Sequence, residues 1–277
     1  MDEEVASWQP RRGRRAQLEQ PFRGVPDHLK ASLWRWISRE LQGPSRSNFD
    51  ADRLTELSVA ARLPVEATTS GYSYLKSRCF RDGDTMLEVV DTVLELDFNQ
   101  DAPHRDALDR LLLLGSSIYR VSRDGHGLEE RLSEATTQQI EATLEAAAEA
   151  PAEHLRRAWN AAYKLRSAPS VAYSESIKAV ESAYAPLVSP TNERQTLGTM
   201  IRDISAKPEK WQCVLEQETT PCEPVLGLMR GLWRGQRSRH GVATSAPEES
   251  LIGARAAVHL AVVLVHLATD NGFGRTG

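Results

Sequence analysis

The sequence predicts an all-α protein, mainly a helical bundle, with one small β-hairpin near residues 116–132. Three observations carry this expectation. Apolar residues recur at three- and four-residue spacing along most of the 277 residues. Pro, Asp, Ser and Thr stand where these stripes begin, and Gly or Pro where they end. The one β-favouring stretch with a strong turn signal runs from Ser116 to Arg131, with Asp124-Gly125 at its tip. Hydrophobic residues make up 40% and charged residues 26% of the chain, which excludes disorder throughout. The length suits one large domain or two smaller ones, with enough apolar material for a core.

The elements follow in order. Residues 1–24, with the run Arg11 to Arg15 broken by Gly13, read as a flexible basic tail. Pro26-Asp27 opens a helix to about Leu41, with Leu29, Leu33, Trp36 and Ile37 at helical spacing and Gly43-Pro44 as its stop. Asp50 caps a second helix through about Leu63. Asp84 starts a third, carrying Met86, Val90, Val93 and Leu94 on one face, and residues 104–114 continue helical. After the hairpin the helical pattern resumes near Glu134. The Ala- and Glu-rich stretch from Ile140 to Pro151 is a further helix, since both residue types favour it. A domain boundary is placed there, giving a helical region over 25–150 and a bundle over 151–277. In the bundle, one stripe is Leu155, Ala158, Trp159 and Ala162. The next is Tyr173, Ile177, Val180 and Tyr184, ended by Pro186. Leu197, Met200, Ile201 and Ile204 form a third, residues 210–217 and 224–234 supply two more helices, and Glu248 to Thr269 the last.

Three cysteines, Cys79, Cys213 and Cys222, show no CxxC spacing, which argues against a disulfide framework or a zinc site and for a reducing cytoplasm. The N-terminus is acidic and lacks the apolar stretch of a signal peptide. The longest apolar run, Ala256 to Ala268, has 13 residues and is expected to be a buried helix, because a membrane span needs about 20. His259 and His266 in it read as core or interface histidines. Net charge is −4, but unevenly spread: −7 over residues 1–150 and +3 over 151–277. Pro224 to Pro247 holds no acid and contains Arg230, Arg234, Arg237 and Arg239. Such a local positive field suits an anionic partner at one place. An arginine-rich helix end favoured by the helix dipole is the plainer reading.

Residues 172–181 (AYSESIKAVE), 195–198 (QTLG) and 239–241 (RHG), in this order before a long final helix, resemble the HEPN superfamily, and within it the AbiJ-like abortive-infection proteins of bacteria. The segments PFRGVPDHLKASLWRWI and LGSSIYRVSRDGHGLEERL resemble the N-terminal region of the same proteins. The resemblance covers residues 22–41 loosely and about 84–270 more fully. It implies a HEPN-like helical bundle over 151–277, behind an N-terminal region that senses or restrains. It further implies a homodimer, no cofactor and no metal. The activity it implies is metal-independent cleavage of RNA, tRNA or mRNA among the targets, in anti-phage defence or a toxin system, with an antitoxin or a phage-derived trigger as partner. No membrane role is implied. The family's signature, Arg, four to six residues, then His, is met by Arg234 and His240.

These residue types suit the chemistry. Cleavage without metal uses the ribose 2′-hydroxyl as nucleophile and needs proton transfer and a cation for the phosphate. Histidine titrates near working pH, and arginine donates bidentate hydrogen bonds while staying charged. His240 is therefore the expected proton-transfer residue and Arg234 the transition-state clamp, with Arg230, Arg237 and Arg239 on RNA phosphates. A two-fold interface would bring two copies of each together. Lys178 and Glu181, one helical turn apart, form a structural pair or support the site. Tyr173 and Tyr184 are core or dimer contacts. Gly235 departs from the polar residue that active family members carry after the arginine. It favours a second reading, an inactive HEPN-like module that binds RNA or protein. A helical interaction protein without a nucleic-acid partner is the third. No nucleophile elbow, P-loop or dinucleotide fingerprint is present.

Overall fold

The computed structural model of the chain describes residues 21–43, 49–99, 102–192, 195–215, 222–236 and 249–276. Helices dominate, with two small two-stranded sheets, as the all-α expectation with a hairpin requires. The chain divides into two compact units, residues 1–128 and 129–277.

The first unit contains α1 (Asp27–Leu41), α2 (Ala51–Ala60), α3 (Thr69–Arg81), α4 (Gly83–Leu96), α5 (Ala102–Leu114) and β1 (Tyr119–Val121). Its centre is α4, which packs on α1, α2 and α3 and buries Met86, Val89, Val90 and Val93. Asp50 caps α2 by accepting from the amides of Asp52 and Arg53. α2 stops at Ala60, short of Leu63, because Pro64 disfavours helical backbone before it. Helix α3 was not expected. Its inward stripe is only Gly71, Leu75 and Cys79, too thin to show in sequence. α4 begins at Gly83, with Asp82 as its cap. Within the expected tail, Phe22 exchanges backbone hydrogen bonds with Ser116 and Ile118 at 2.8 and 3.0 Å. The hairpin pairs β1 with β2 (Leu128–Glu130), and the unit division falls inside β2. Asp91 of α4 accepts from the Leu128 amide at 2.7 Å.

The second unit contains α6 (Glu134–Ala146), α7 (Glu149–Tyr163), α8 (Pro169–Val188), α9 (Leu197–Ala206), β3 (Trp211–Cys213), α10 (Glu223–Gly235), α11 (Leu251–Thr269) and β4 (Phe273–Arg275). α7, α8 and α11 pack on one another, α9 lies on α8, α10 lies on α9 and α11, and α6 lies on α7 and α11. One continuous hydrophobic core runs from Ile140 to Phe273. The expected boundary near residue 151 falls inside α7, so the Ala- and Glu-rich helix α6 belongs to this unit.

Three local expectations are corrected. α8 continues through Pro186 to Val188, because burial of Val188 rewards the extra turn and the Ser189 amide still reaches the Ala185 carbonyl at 3.0 Å. The helix expected over 210–217 is absent from the described residues 210–215: Trp211–Cys213 pairs antiparallel with Phe273–Arg275, Trp211 opposite Arg275 and Cys213 opposite Phe273. The last helix starts at Leu251, capped by the Ser250 hydroxyl at 3.1 Å. It is long and apolar enough to cross a bilayer, with a mean hydropathy of 1.9, yet one face of it forms the middle of the bundle through Ala254, Val258, Ala261 and Val265.

Candidate functional site

The site is built around the C-terminal end of α10. Pro224 occupies its first turn, where a missing amide hydrogen costs nothing. Val225, Leu226, Met229 and Leu232 face the core, so Arg230 and Arg234, one turn apart, face outward. Their surroundings differ. Arg230 is ion-paired with Glu223, and its guanidinium also donates to the Ser205 hydroxyl at 3.1 Å. Arg234 is exposed in the last turn and makes no hydrogen bond or ion pair among the described residues. His240, Arg237 and Arg239 lie outside the described residues.

Two of the segments quoted above meet α10 here. Tyr173 of α8 is buried, and its hydroxyl donates to the Leu232 carbonyl at 3.0 Å, satisfying one of the helix's terminal acceptors. A Cβ on Gly235 would lie 2.1 Å from that hydroxyl oxygen, so only glycine fits beside it. Gly198 lies against the indole of Trp233, with a hypothetical Cβ 2.5 Å from Cζ2. Thr196 and Thr199 form a capping box at the start of α9.

Lys178 and Glu181 do not pair with each other. The Glu181 carboxylate accepts from the Leu197 amide at 2.6 Å, at the start of α9. Burial raises its pKa, against the pull of that hydrogen bond and of Lys178. Lys178 turns the other way and donates to Glu175 Oε1 at 2.6 Å. Glu175 Oε2 meets His154 Nδ1 of α7 at 2.7 Å. Burial works to raise the Glu175 pKa, but the hydrogen bonds from Lys178 and His154 outweigh it and hold the carboxyl below its usual range. His154 and Glu175 escaped the sequence reading because they are 21 residues apart on different helices, a separation that leaves no local pattern.

A second polar cluster locks α7 to α11. The Tyr163 hydroxyl and His259 Nε2 are 2.8 Å apart, and the Arg255 guanidinium sits 4.8 Å over the Tyr163 ring. Arg255 also donates to the Ala162 carbonyl at 3.2 Å and pairs with Glu130 at 2.8 Å. Burial lowers the His259 pKa and raises that of Tyr163, so both stay neutral near pH 7. His259 and His266 lie on the exposed side of α11 and not in the core. Tyr184 is fully buried and packs on Phe273, while Tyr173 is core as expected. Among the described residues no group of three His, Cys, Asp or Glu side chains could hold a metal ion. All three cysteines are buried and none forms a disulfide among the described residues, and burial pushes the Cys79 thiol up to about 12.

No family model, curated protein or solved structure matches the chain.

Proposed function

We propose that residues 129–277 form a HEPN-like ribonuclease domain, and that the chain is a bacterial anti-phage or toxin-type protein working in the cytoplasm as a homodimer. What supports this reading is the end of α10. The segments at 172–181 and 195–198 converge there on Leu232, Trp233 and Gly235, and Arg234 leaves that end with no acidic partner among the described residues. A cation so placed suits a crowded phosphate. His240, separated from Arg234 by five residues, supplies proton transfer, and the 2′-hydroxyl of RNA attacks to give a 2′,3′-cyclic phosphate. DNA resists, because it lacks that hydroxyl. Gly235 is accounted for by the Tyr173 hydroxyl, so its departure from the family pattern is a matter of packing.

The test is incubation of the whole protein with labelled total RNA and tRNA in EDTA. Fragments ending in cyclic phosphate are expected from the wild type, with a loss of about a hundredfold or more in His240→Ala and Arg234→Ala. Equal cleavage by all three proteins would sink the assignment. The second reading is a module that binds RNA without cutting it. The engagement of Arg230 by Glu223 and Ser205 favours it, because one described arginine is then left for phosphate instead of two. It predicts salt-dependent gel shifts over intact RNA in every lane.

A further inference from the structure

We propose that His154 and Glu175 form a second proton-transfer site of the chain, with His154 as general base toward phosphodiesters that carry a neighbouring hydroxyl. The proposal borrows from the RNA reading only the chemical class of its substrate.

The geometry fixes the tautomer. Glu175 is buried between α7 and α8, and each of its carboxylate oxygens is occupied: Oε1 by the Lys178 ammonium at 2.6 Å, Oε2 by His154 Nδ1 at 2.7 Å. Lys178 keeps the group a carboxylate, which only accepts hydrogen bonds. His154 Nδ1 must therefore carry its proton, and in the neutral ring Nε2 carries the lone pair. No hydrogen bond reaches Nε2 among the described residues, and the side chain is 26% exposed. A carboxylate orienting an imidazole whose other nitrogen is open is the arrangement of a general base.

His154 is among the residues that line an open groove of about 710 Å³ between the end of α6 and the first turns of α7, with Glu149 and Glu153 also in its wall. Ala147, Ala150 and Ala152 leave room in it, and Arg156 and Arg157 stand beside it. Each arginine gives one N–H to Glu153, at 2.8 and 2.9 Å, so each fork keeps donors for a phosphate oxygen. In the step proposed, the substrate hydroxyl gives its proton to Nε2. Its oxygen bonds to phosphorus, and the bond from phosphorus to the leaving oxygen breaks with its electron pair. The products are a cyclic phosphate and either the leaving alcohol, which takes up the proton held on Nε2, or its anion, in which case that proton returns to solvent.

The probe is hydroxypropyl nitrophenyl phosphate, whose own hydroxyl displaces coloured nitrophenolate. The whole protein is assayed with EDTA, alongside His154→Ala, Glu175→Gln and Arg202→Ala, each checked for folding by circular dichroism. Release by the wild type is expected, with about a hundredfold loss in His154→Ala and about tenfold loss in Glu175→Gln. Arg202→Ala should keep the wild-type rate, since its ion pair is with neighbouring Asp203 on the surface. Added imidazole should restore release to His154→Ala, which a merely structural role would not allow. No release above buffer, or release unchanged in His154→Ala, overturns the proposal. So does a loss that imidazole does not repair and Glu175→Gln does not share. RNA left intact beside His154-dependent release ends the RNA reading and leaves this site standing. Arg234-dependent RNA cleavage without His154-dependent release does the reverse.

Discussion

At the scale of single residues, two carboxylates on one helix behave in opposite ways. Glu175 has its pKa held down in the folded protein, so its charge stabilises the fold above the ordinary carboxylate value of about 4.3, and that stability is lost as pH falls through the folded value. Glu181 has its pKa raised, so its contribution is present at low pH and lost as pH rises through the folded value. Urea unfolding at pH 7 should therefore find Glu175→Gln less stable than wild type by about 1–3 kcal/mol. Glu181→Gln, which keeps an oxygen for the Leu197 amide, should match or exceed wild type. The Glu175→Gln deficit should shrink as the pH is taken below 4. A Glu181→Gln protein that loses more than about 1 kcal/mol would contradict the burial argument. Gly235 offers a sharper test. Gly235→Ala should cost about 1–3 kcal/mol through collision with the Tyr173 hydroxyl, and Tyr173→Phe should remove part of that cost. Additive effects in the double variant would mean that the two residues do not meet.

At the scale of elements, legibility followed local pattern. α1, α7 and α8 were readable because their stripes are rich: Leu29, Leu33 and Ile37 in the first, Leu155, Ala158 and Ala162 in the second, Tyr173, Ile177 and Val180 in the third. The hairpin was readable because Asp124-Gly125 is a turn signal in itself. α3 was not, since its inward face is only Gly71, Leu75 and Cys79, with a single large apolar residue among them. β3 was not, because three residues are too few to show alternation and its partner lies some sixty residues later. The site divides in the same way. Arg234 stood out as part of a short spacing, whereas the pairing of His154 with Glu175 is a product of the α7–α8 crossing and has no trace in either helix alone. The β3–β4 pair also makes a prediction. Phe273 stacks on Trp211 at 5.5 Å and meets Tyr184 at 5.1 Å, both buried. Phe273→Ala should cost about 3–5 kcal/mol in urea unfolding. A cost under about 1 kcal/mol would mean that β4 is ornamental to the core.

At the scale of the whole molecule, the division at Leu128 and Glu129 can be tested against the boundary that composition suggested near residue 151. The second unit's core contains Ile140 of α6, and Arg255 of α11 is tied to Glu130. A fragment spanning 129–277 should unfold cooperatively with a helical spectrum. One spanning 151–277 should be weaker by at least about 2 kcal/mol, the worth of one buried isoleucine. Equal urea midpoints would restore the later boundary. The pairing of β3 with β4 carries one more consequence, about the order in which the chain is born. α8, at the middle of the second unit, can pack on α7 early, but its face toward α11 and Phe273 stays uncovered until those last elements exist. The second unit therefore cannot close until β4, at Phe273–Arg275, has left the ribosome's exit tunnel. The first unit, complete by Leu128, has the whole of that interval in which to fold alone. If the domain cuts RNA, its bundle stays unfinished for as long as its own message is still being read at that end.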